Sequence, residues 1–128
     1  MPFEIAPATL ADFDVMQGRL PYRSRAYTAR MGDRIVGLAG FFREELGRTV
    51  AFARLTDDVR RCRVQLHKEA RKALEEARKR GDVPVFATAD PAVEAAERWL
   101  KRLGFVPLTR NEQGQMIFAW FGADAAAQ

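Results

Sequence analysis

The sequence predicts a single α/β (α+β) domain in which a central mixed sheet of about six or seven strands is flanked by helices. The chain has 128 residues, of which 48% are hydrophobic, and this size suits one domain with one modest core. Segments of alternating apolar and polar residues interchange with segments in which apolar residues recur every three or four positions, as in strands and helices respectively. We therefore expect residues 1–121 to form one domain, followed by a frayed tail at residues 122–128.

The first half of the chain predicts a strand, a helix and three further strands. Residues 3–5 form a short apolar segment that is typical of a strand. Apolar residues then fall on one helical face, at positions 10, 13, 16 and 20. Thr9 would cap this helix together with Asp12. Strand-like segments, separated by glycine-containing turns that favour an antiparallel meander, follow at residues 25–31, 35–43 and 49–55.

The second half predicts two helices, a strand between them and a closing hairpin. A long charged helix is expected from about Val59 to Arg80, where Gly81 ends it. Residues 83–87 then form a short apolar strand. Asp90 and Pro91 mark the start of the next helix as its N-cap and first-turn residue. The hairpin strands are expected at residues 105–109 and 115–121, of which the second offers a sheet edge to a partner unless it packs in the core.

Charge and composition limit the classes of function. Lys and Arg number 21 against 17 Asp and Glu, which gives a net charge of +4. On the long predicted helix the two signs of charge are interleaved and do not form a block of one sign, so nucleic-acid binding is not expected. The longest apolar stretch, residues 35–42, is far shorter than the roughly 20 residues of a membrane-spanning helix, so no membrane partner is expected. The first residues carry no pattern of a secretory signal, which makes the cytoplasm the expected location.

Metal and disulfide chemistry are not expected. Cys62 is the only cysteine, so an internal disulfide and a cysteine-based metal cluster are excluded. His67 is the only histidine, and a lone histidine on a charged helix is usually a surface residue.

Two segments in a defined order carry a resemblance to a known family. Leu74–Gly81 has the sequence Leu-Glu-Glu-Ala-Arg-Lys-Arg-Gly. After a predicted strand, Ala87–Phe105 combines Ala-Asp-Pro, an Ala-rich helix and a closing Lys-Arg-Leu-Gly-Phe. Together with the order of the predicted elements, these segments resemble the GNAT superfamily of acyl-CoA N-acyltransferases. The resemblance implies the GNAT fold and acetyl-CoA as the cofactor.

The same resemblance implies where the cofactor would bind. The family holds the pyrophosphate of its cofactor at the start of the long helix, on an Arg-Gly-x-Gly-x-Gly-like loop whose glycines let the phosphates approach the main chain. In this chain the loop corresponds to Arg61, Cys62, Arg63, Val64, Gln65 and Leu66, so all three glycine positions carry larger residues. The cofactor-binding candidates by position are therefore Arg61, Arg63, Val64, Gln65 and Leu66. The alternative is that these arginines form only a solvated helix start.

The catalytic residues that the resemblance implies are absent. The family often uses a tyrosine, four residues before the final Gly-Phe, to protonate the departing thiolate, and this chain has Leu100 there, next to Trp99. A carboxylate near the middle of the fourth strand commonly serves as the base, and the only nearby acids are Asp57 and Asp58. An acid pair before a helix is more often a helix cap and dipole partner. Glu44 and Glu45 lie in a predicted turn, where solvation makes them unsuited to act as a base.

The interpretation is an acetyltransferase-like protein whose acetyl-CoA site is degenerate. Residues 50–120 are also similar to GNAT-like proteins of tailed phages and prophages, which would make the protein phage-encoded and a virion-associated or assembly component. Two alternatives stay open. One is a non-catalytic interaction module that binds a protein partner or a second copy of itself, through the arginines or residues 116–121. The other is an active N-acetyltransferase with an atypical cofactor loop.

Overall fold

The structure, a computed structural model, describes residues 3–16, 18, 20, 23–89 and 94–122. The strands are β1 Phe3–Pro7, β2 Ser24–Met31, β3 Arg34–Arg43, β4 Thr49–Leu55, β5 Val85–Ala89, β6 Val106–Arg110 and β7 Met116–Trp120. The helices are α1 Leu10–Val15, α2 Arg63–Lys79 and α3 Glu94–Arg102, and a 3-10 helix at Asp57–Arg61 precedes α2. The predicted N-cap Asp90, Pro91 and the tail after Gly122 lie outside the described residues.

One sheet contains all seven strands in the order β1-β2-β3-β4-β5-β7-β6. Neighbouring strands are antiparallel except β4 and β5, which are parallel. The predicted mixed sheet with flanking helices is therefore confirmed, as is the antiparallel meander of β2, β3 and β4. Of the two alternatives for residues 116–121, core packing is confirmed and the sheet edge is excluded, because β7 is inserted between β5 and β6. Phe118 and Trp120 are buried there, and β6 forms the sheet edge.

The helices cover both faces of the sheet. On one face α1 packs Phe13 with Met16 against Leu38 of β3. On the other face α2 contributes Leu74 and Ala77 to a larger core cluster, which also contains Val85, Ala87, Phe105, Phe118 and Trp120. We refer to these as the α1 face and the α2 face. Successive side chains of β4 point to opposite faces of the sheet, since Phe52 packs on the α1 face and Ala51 on the α2 face.

Helix α1 confirms the predicted cap and is shorter than the apolar pattern indicated. The Thr9 hydroxyl accepts a hydrogen bond from the Asp12 amide at 3.2 Å, and the Asp12 carboxylate accepts one from the Thr9 amide at 3.0 Å. The helix ends at Val15, because Gly18 turns the chain at a φ of +94° and its amide bonds the Phe13 carbonyl. Met16 and Leu20 still pack on the α1 face, although they lie outside the helix.

The long helix begins later than predicted. Thr56 caps the 3-10 helix by accepting the Asp58 amide, and the chain breaks helical geometry at Cys62, with φ −134° and ψ 29°. Burial explains the break, since the Cys62 side chain is 1% exposed and packs with Ala29 and Val36. Helix α2 proper therefore starts at Arg63, directly beyond the carboxyl end of β4.

Candidate cofactor cleft

Strands β4 and β5 separate shortly after they meet. Their pairing consists of Thr49 with Val85 and Val50 with Phe86. β4 then continues to Leu55 while it pairs with β3, and β5 continues to Ala89 while it pairs with β7. Beyond Val50 and Phe86, the facing edges of β4 and β5 are therefore not hydrogen-bonded to each other. We call the opening between residues 51–55 and residues 87–89 the cleft.

The 3-10 helix connects the carboxyl end of β4 to the first turn of α2. Cys62 is its N-cap residue and makes no side-chain capping bond, and the first turn contains no acidic residue. The first amides of a helix have no partner within the helix and carry a partial positive charge. Arg61 and Arg63 are both exposed here. The start of α2 therefore has the features of a site for an anion.

The three residues at the family's glycine positions differ in where their side chains lie. Cys62 is buried, and Leu66 packs against the same cluster below the sheet surface. Val64 is 66% exposed, and Gln65 is also exposed. Of the three replacements, Val64 is thus the one whose side chain stands on the surface at the start of α2.

The candidate bases form the start of the 3-10 helix. The Asp58 carboxylate forms an ion pair with Arg34 at 2.7 Å, and the Asp58 amide donates a hydrogen bond to the Thr56 hydroxyl at 3.3 Å. Asp57 is exposed in the same turn. Acids at a helix start are stabilised by the free amides, so both residues have a structural role that needs no catalysis.

Cys62 follows this turn. Burial raises the pKa of the Cys62 thiol, and the Asp58 carboxylate raises it further. A thiol held in its neutral form is a poor nucleophile. Cys62 is therefore a packing residue.

Helix α3 reaches α2 through a side-chain bond that the sequence did not indicate. The Trp99 indole Nε1 donates to His67 Nδ1 at 3.3 Å, and both residues are half-buried. The expectation that His67 is a surface residue was therefore wrong, and its partner is Trp99. No local signal could reveal the contact, because the two residues are 32 positions apart. Leu100, at the family's tyrosine position, packs against the core of the α2 face.

Replacing Trp99 with phenylalanine tests this bond. The substitution keeps most of the apolar contact and removes the only donor of the indole ring. We expect the free energy of unfolding to fall by about 1 kcal/mol, measured by urea denaturation. His67→Phe should give a similar loss. If both variants are as stable as the wild type, the bond contributes nothing in solution.

Arg54 occupies the part of β4 where the family commonly has its base. Its Nη1 donates to the Met16 carbonyl at 2.9 Å and also to the Gly18 carbonyl. Arg54 thus fastens the segment after α1 to the sheet and leaves no carboxylate at this position.

A hollow on the α1 face adjoins the point where β4 and β5 separate. Both residues of the last pair, Val50 and Phe86, line it. Glu44 and Arg48 form an ion pair at its rim, and the Arg48 guanidinium lies 5.8 Å from the centre of the Phe86 ring. The sequence predicted that Glu44 is solvated, yet its side chain is only 22% exposed. Its position at the rim of the hollow depends on how the strands around the hollow meet, which the local sequence does not show.

In the part of the chain that the structure describes, no three His, Cys, Asp or Glu side chains come together in a way that could hold a metal ion. Among the same residues no helix has the length and apolar character needed to cross a membrane.

Comparison with known proteins gives a match in structure and none in sequence. No protein-family model and no curated protein matches the chain. An IAA acetyltransferase from Bacillus cereus superimposes with a TM-score of 0.71 at 12% identity, over 94% of this chain and 100% of that one. The fold is that of the GNAT acetyltransferases.

Other GNAT structures give the same result. The ribosomal-protein-S18-alanine N-acetyltransferase from Escherichia coli has a TM-score of 0.65 at 17% identity, over 94% of each chain. A Bacillus subtilis acetyltransferase, solved in complex with CoA, has a TM-score of 0.66 at 14% identity, over 94% of this chain and 98% of that one. At these identities the likeness concerns the fold.

Proposed function

We propose that this chain is an acetyltransferase-like protein that binds acetyl-CoA in the cleft but has lost the catalytic side chains. The observation that carries the proposal is the β4–β5 pairing, which stops after two residue pairs. A parallel pair of strands would normally continue its ladder, so the separation leaves two edges free to bind an extended ligand.

The residues around the cleft fit the chemistry of the cofactor. The free edges of residues 51–55 and 87–89 present main-chain amides and carbonyls, which suit the amide-containing arm of a CoA molecule. The uncapped first turn of α2, with Arg61 and Arg63, suits its pyrophosphate. Val64 weakens this fit, because its exposed side chain keeps an anion farther from the main chain than a glycine would.

Transfer would rest on positioning. When bound, acetyl-CoA supplies a thioester that an amine can attack. The acyl end would lie near Val50 and Phe86, where the hollow on the α1 face offers an approach for the amine. Leu100 cannot protonate the leaving thiolate, and β4 offers no base. General acid–base groups typically contribute about 10²–10⁴-fold each, so we expect a rate well below that of a complete enzyme, with proximity as the remaining source of catalysis.

Thermal unfolding with acetyl-CoA tests the binding. At about 100 times its dissociation constant, a ligand of the native state adds about 2.7 kcal/mol, so Tm should rise. The double variant Arg61→Gln/Arg63→Gln should reduce this shift, and Arg71→Gln, an exposed arginine farther along α2, should not. Val64→Gly should strengthen binding because the phosphates can then approach the main chain. No shift at millimolar acetyl-CoA would overturn the proposal.

The degenerate character is tested separately by the release of free thiol from acetyl-CoA with a set of primary amines. We expect slow release that depends on the cleft, and hence on Arg61 and Arg63. Turnover of about 1 s⁻¹ or faster, within the usual range of enzymes, would contradict the loss of catalytic function and favour the active enzyme with an atypical loop.

A second candidate function is a non-catalytic interaction module. The observation in its favour is the edge strand β6, where Val106 is 42% exposed and Leu108 is 50% exposed. Exposed strand edges pair readily with another chain. A virion protein is the expected partner of this module if the gene is phage-encoded, as the sequence-based interpretation of residues 50–120 predicts. Capsid and tail genes beside this gene, together with no response to acetyl-CoA, would favour this candidate.

A further inference from the structure

Four arginines surround a second hollow, at the opposite end of β4 from the cleft. The hollow lies where β3 ends and β4 begins, and Phe41 and Thr49 form part of its wall. Its other lining residues include Asp82 and four arginines, which are Arg23, Arg25, Arg43 and Arg80. They come from four separate parts of the chain: the segment before β2, β2 itself, β3 and the end of α2. We call this group the arginine hollow.

Asp82 fixes two of the four guanidinium groups. Arg43 Nη2 lies 2.7 Å from Asp82 Oδ1, and Arg80 Nε lies 3.0 Å from Asp82 Oδ2. The Asp82 side chain is 22% exposed and that of Arg80 is 29% exposed, so this pair is partly enclosed. Each guanidinium has five N–H donors, and the bond to Asp82 uses one nitrogen of each. The remaining donors are held in place and stay available.

Arg23 and Arg25 have no such compensation. Within the described part of the chain, neither makes an ion pair or a side-chain hydrogen bond. Four positive charges therefore face one carboxylate in the hollow, which leaves an excess of three. Like charges brought together on a concave surface raise the local potential and attract anions.

Ordinary structural roles account for part of this arrangement only. Arg80 lies at the end of α2, where the helix dipole stabilises a positive charge, and the bond to Asp82 accounts for Arg43. Neither reason applies to Arg23 or Arg25, which belong to a different segment and converge on the same hollow.

We propose that the arginine hollow binds a small molecule through its phosphate monoester group. A carboxylate is planar and is satisfied by one guanidinium fork, whereas a phosphate dianion has three oxygens that accept bonds from several directions. Three uncompensated charges also suit a dianion better than a monoanion. The site is separate from the cleft and does not depend on the proposed function.

Calorimetric titration with inorganic phosphate at pH 7.5 tests the site, with acetate and chloride at matched ionic strength as comparisons. We expect saturable binding of phosphate and none of acetate. Arg25→Gln should weaken phosphate binding by about tenfold, the loss expected for one charge-assisted contact. Because Arg25 has no partner in the described structure, this variant should fold normally.

Two variants with the same loss of charge serve as controls. Arg71→Gln removes an exposed arginine elsewhere on α2, and Arg63→Gln removes one at the cleft. Arg71→Gln should leave phosphate affinity unchanged, Arg63→Gln should affect only a second phosphate bound at the start of α2, and Arg25→Gln should leave the response to acetyl-CoA unchanged. Equal weakening by all three variants would mean non-specific charge attraction, and loss only with Arg63→Gln would mean binding at α2. Either result, or no binding at all, would overturn the proposal.

Discussion

Replacing Asp12 with alanine is expected to lower the free energy of unfolding by about 3 kcal/mol, the cost of breaking a buried, hydrogen-bonded ion pair. Asp12 is 4% exposed. Its Oδ2 accepts bonds from the Thr9 amide at 3.0 Å and the Thr28 hydroxyl at 2.8 Å, and its Oδ1 lies 2.6 Å from Arg30 Nη2. The substitution thus removes the cap of α1 and the bond between α1 and β2 together.

The expected loss of stability is large because Thr28 is fully buried. Thr28 is 0% exposed, so its hydroxyl cannot turn to water once the carboxylate is gone. Arg30 is less affected, because its side chain is 31% exposed and can be solvated. Urea denaturation measures the change, and Asp33→Asn, in the exposed turn between β2 and β3, is the control. A loss no larger than that of the control would contradict a stabilising role for the Asp12 contacts.

The pH dependence gives an independent reading of the same group. The Thr9 amide bond lowers the pKa of Asp12 most, and the Thr28 bond and Arg30 lower it further, against the opposing effect of burial. A carboxyl whose pKa is lower in the folded protein stabilises the fold above its unfolded pKa of about 3.9. This contribution is lost as pH falls from there through the folded pKa. The stability gap between wild type and Asp12→Asn should therefore be full at pH 7 and narrow below about pH 4.

Local signals in the sequence predicted most elements of the fold. The Thr9 cap needs only residues three apart, and the turns depend on glycines such as Gly47 and Gly81, both at positive φ. Errors arose where burial overrode the local pattern. The long helix starts four residues late because Cys62 turns into the core, and α1 ends early because Gly18 reverses the chain.

Features of the candidate sites depend on contacts between distant segments. The cleft exists because β4 and β5 diverge after two pairs, and no residue in either strand encodes this by its type alone. The arginine hollow unites residues from 23 to 82, so its charges appear scattered in the sequence. The glycine positions of the family could be located from the sequence. Only the structure shows that the side chains of Cys62 and Leu66 pack in the core whereas that of Val64 does not.

This distinction bears on how much function the chain retains. In the sequence, all three glycine positions of the family carry larger residues. Two of the three replacements are accommodated below the surface, which leaves Val64 as the obstacle to close approach of a phosphate. Binding and catalysis are thereby separated, since the missing acid and base at Leu100 and in β4 concern the rate and not the affinity.

Gly40→Ala is expected to destabilise the protein by about 3 kcal/mol, at the upper end of what overpacking usually costs. Gly40 lies in β3 opposite Ala26 of β2. A Cβ on Gly40 would lie 2.6 Å from the Ala26 Cα and would also clash with the Arg25 carbonyl oxygen. Both are main-chain atoms of a paired strand, so the clash can be relieved only by moving β2 away from β3.

Gly37→Ala provides a matched control on the same strand. Its Cβ would lie 2.7 Å from Leu55 Cδ2, the tip of a flexible side chain that is 41% exposed and can turn aside. Both substitutions add one methyl group to β3, and both reduce the flexibility of the unfolded chain in the same way. The difference between them therefore isolates the main-chain clash. Thermal or urea unfolding should show a large loss for Gly40→Ala and less than about 1 kcal/mol for Gly37→Ala. Equal losses would mean that β2 and β3 are spaced more widely at Gly40 than the structure has them.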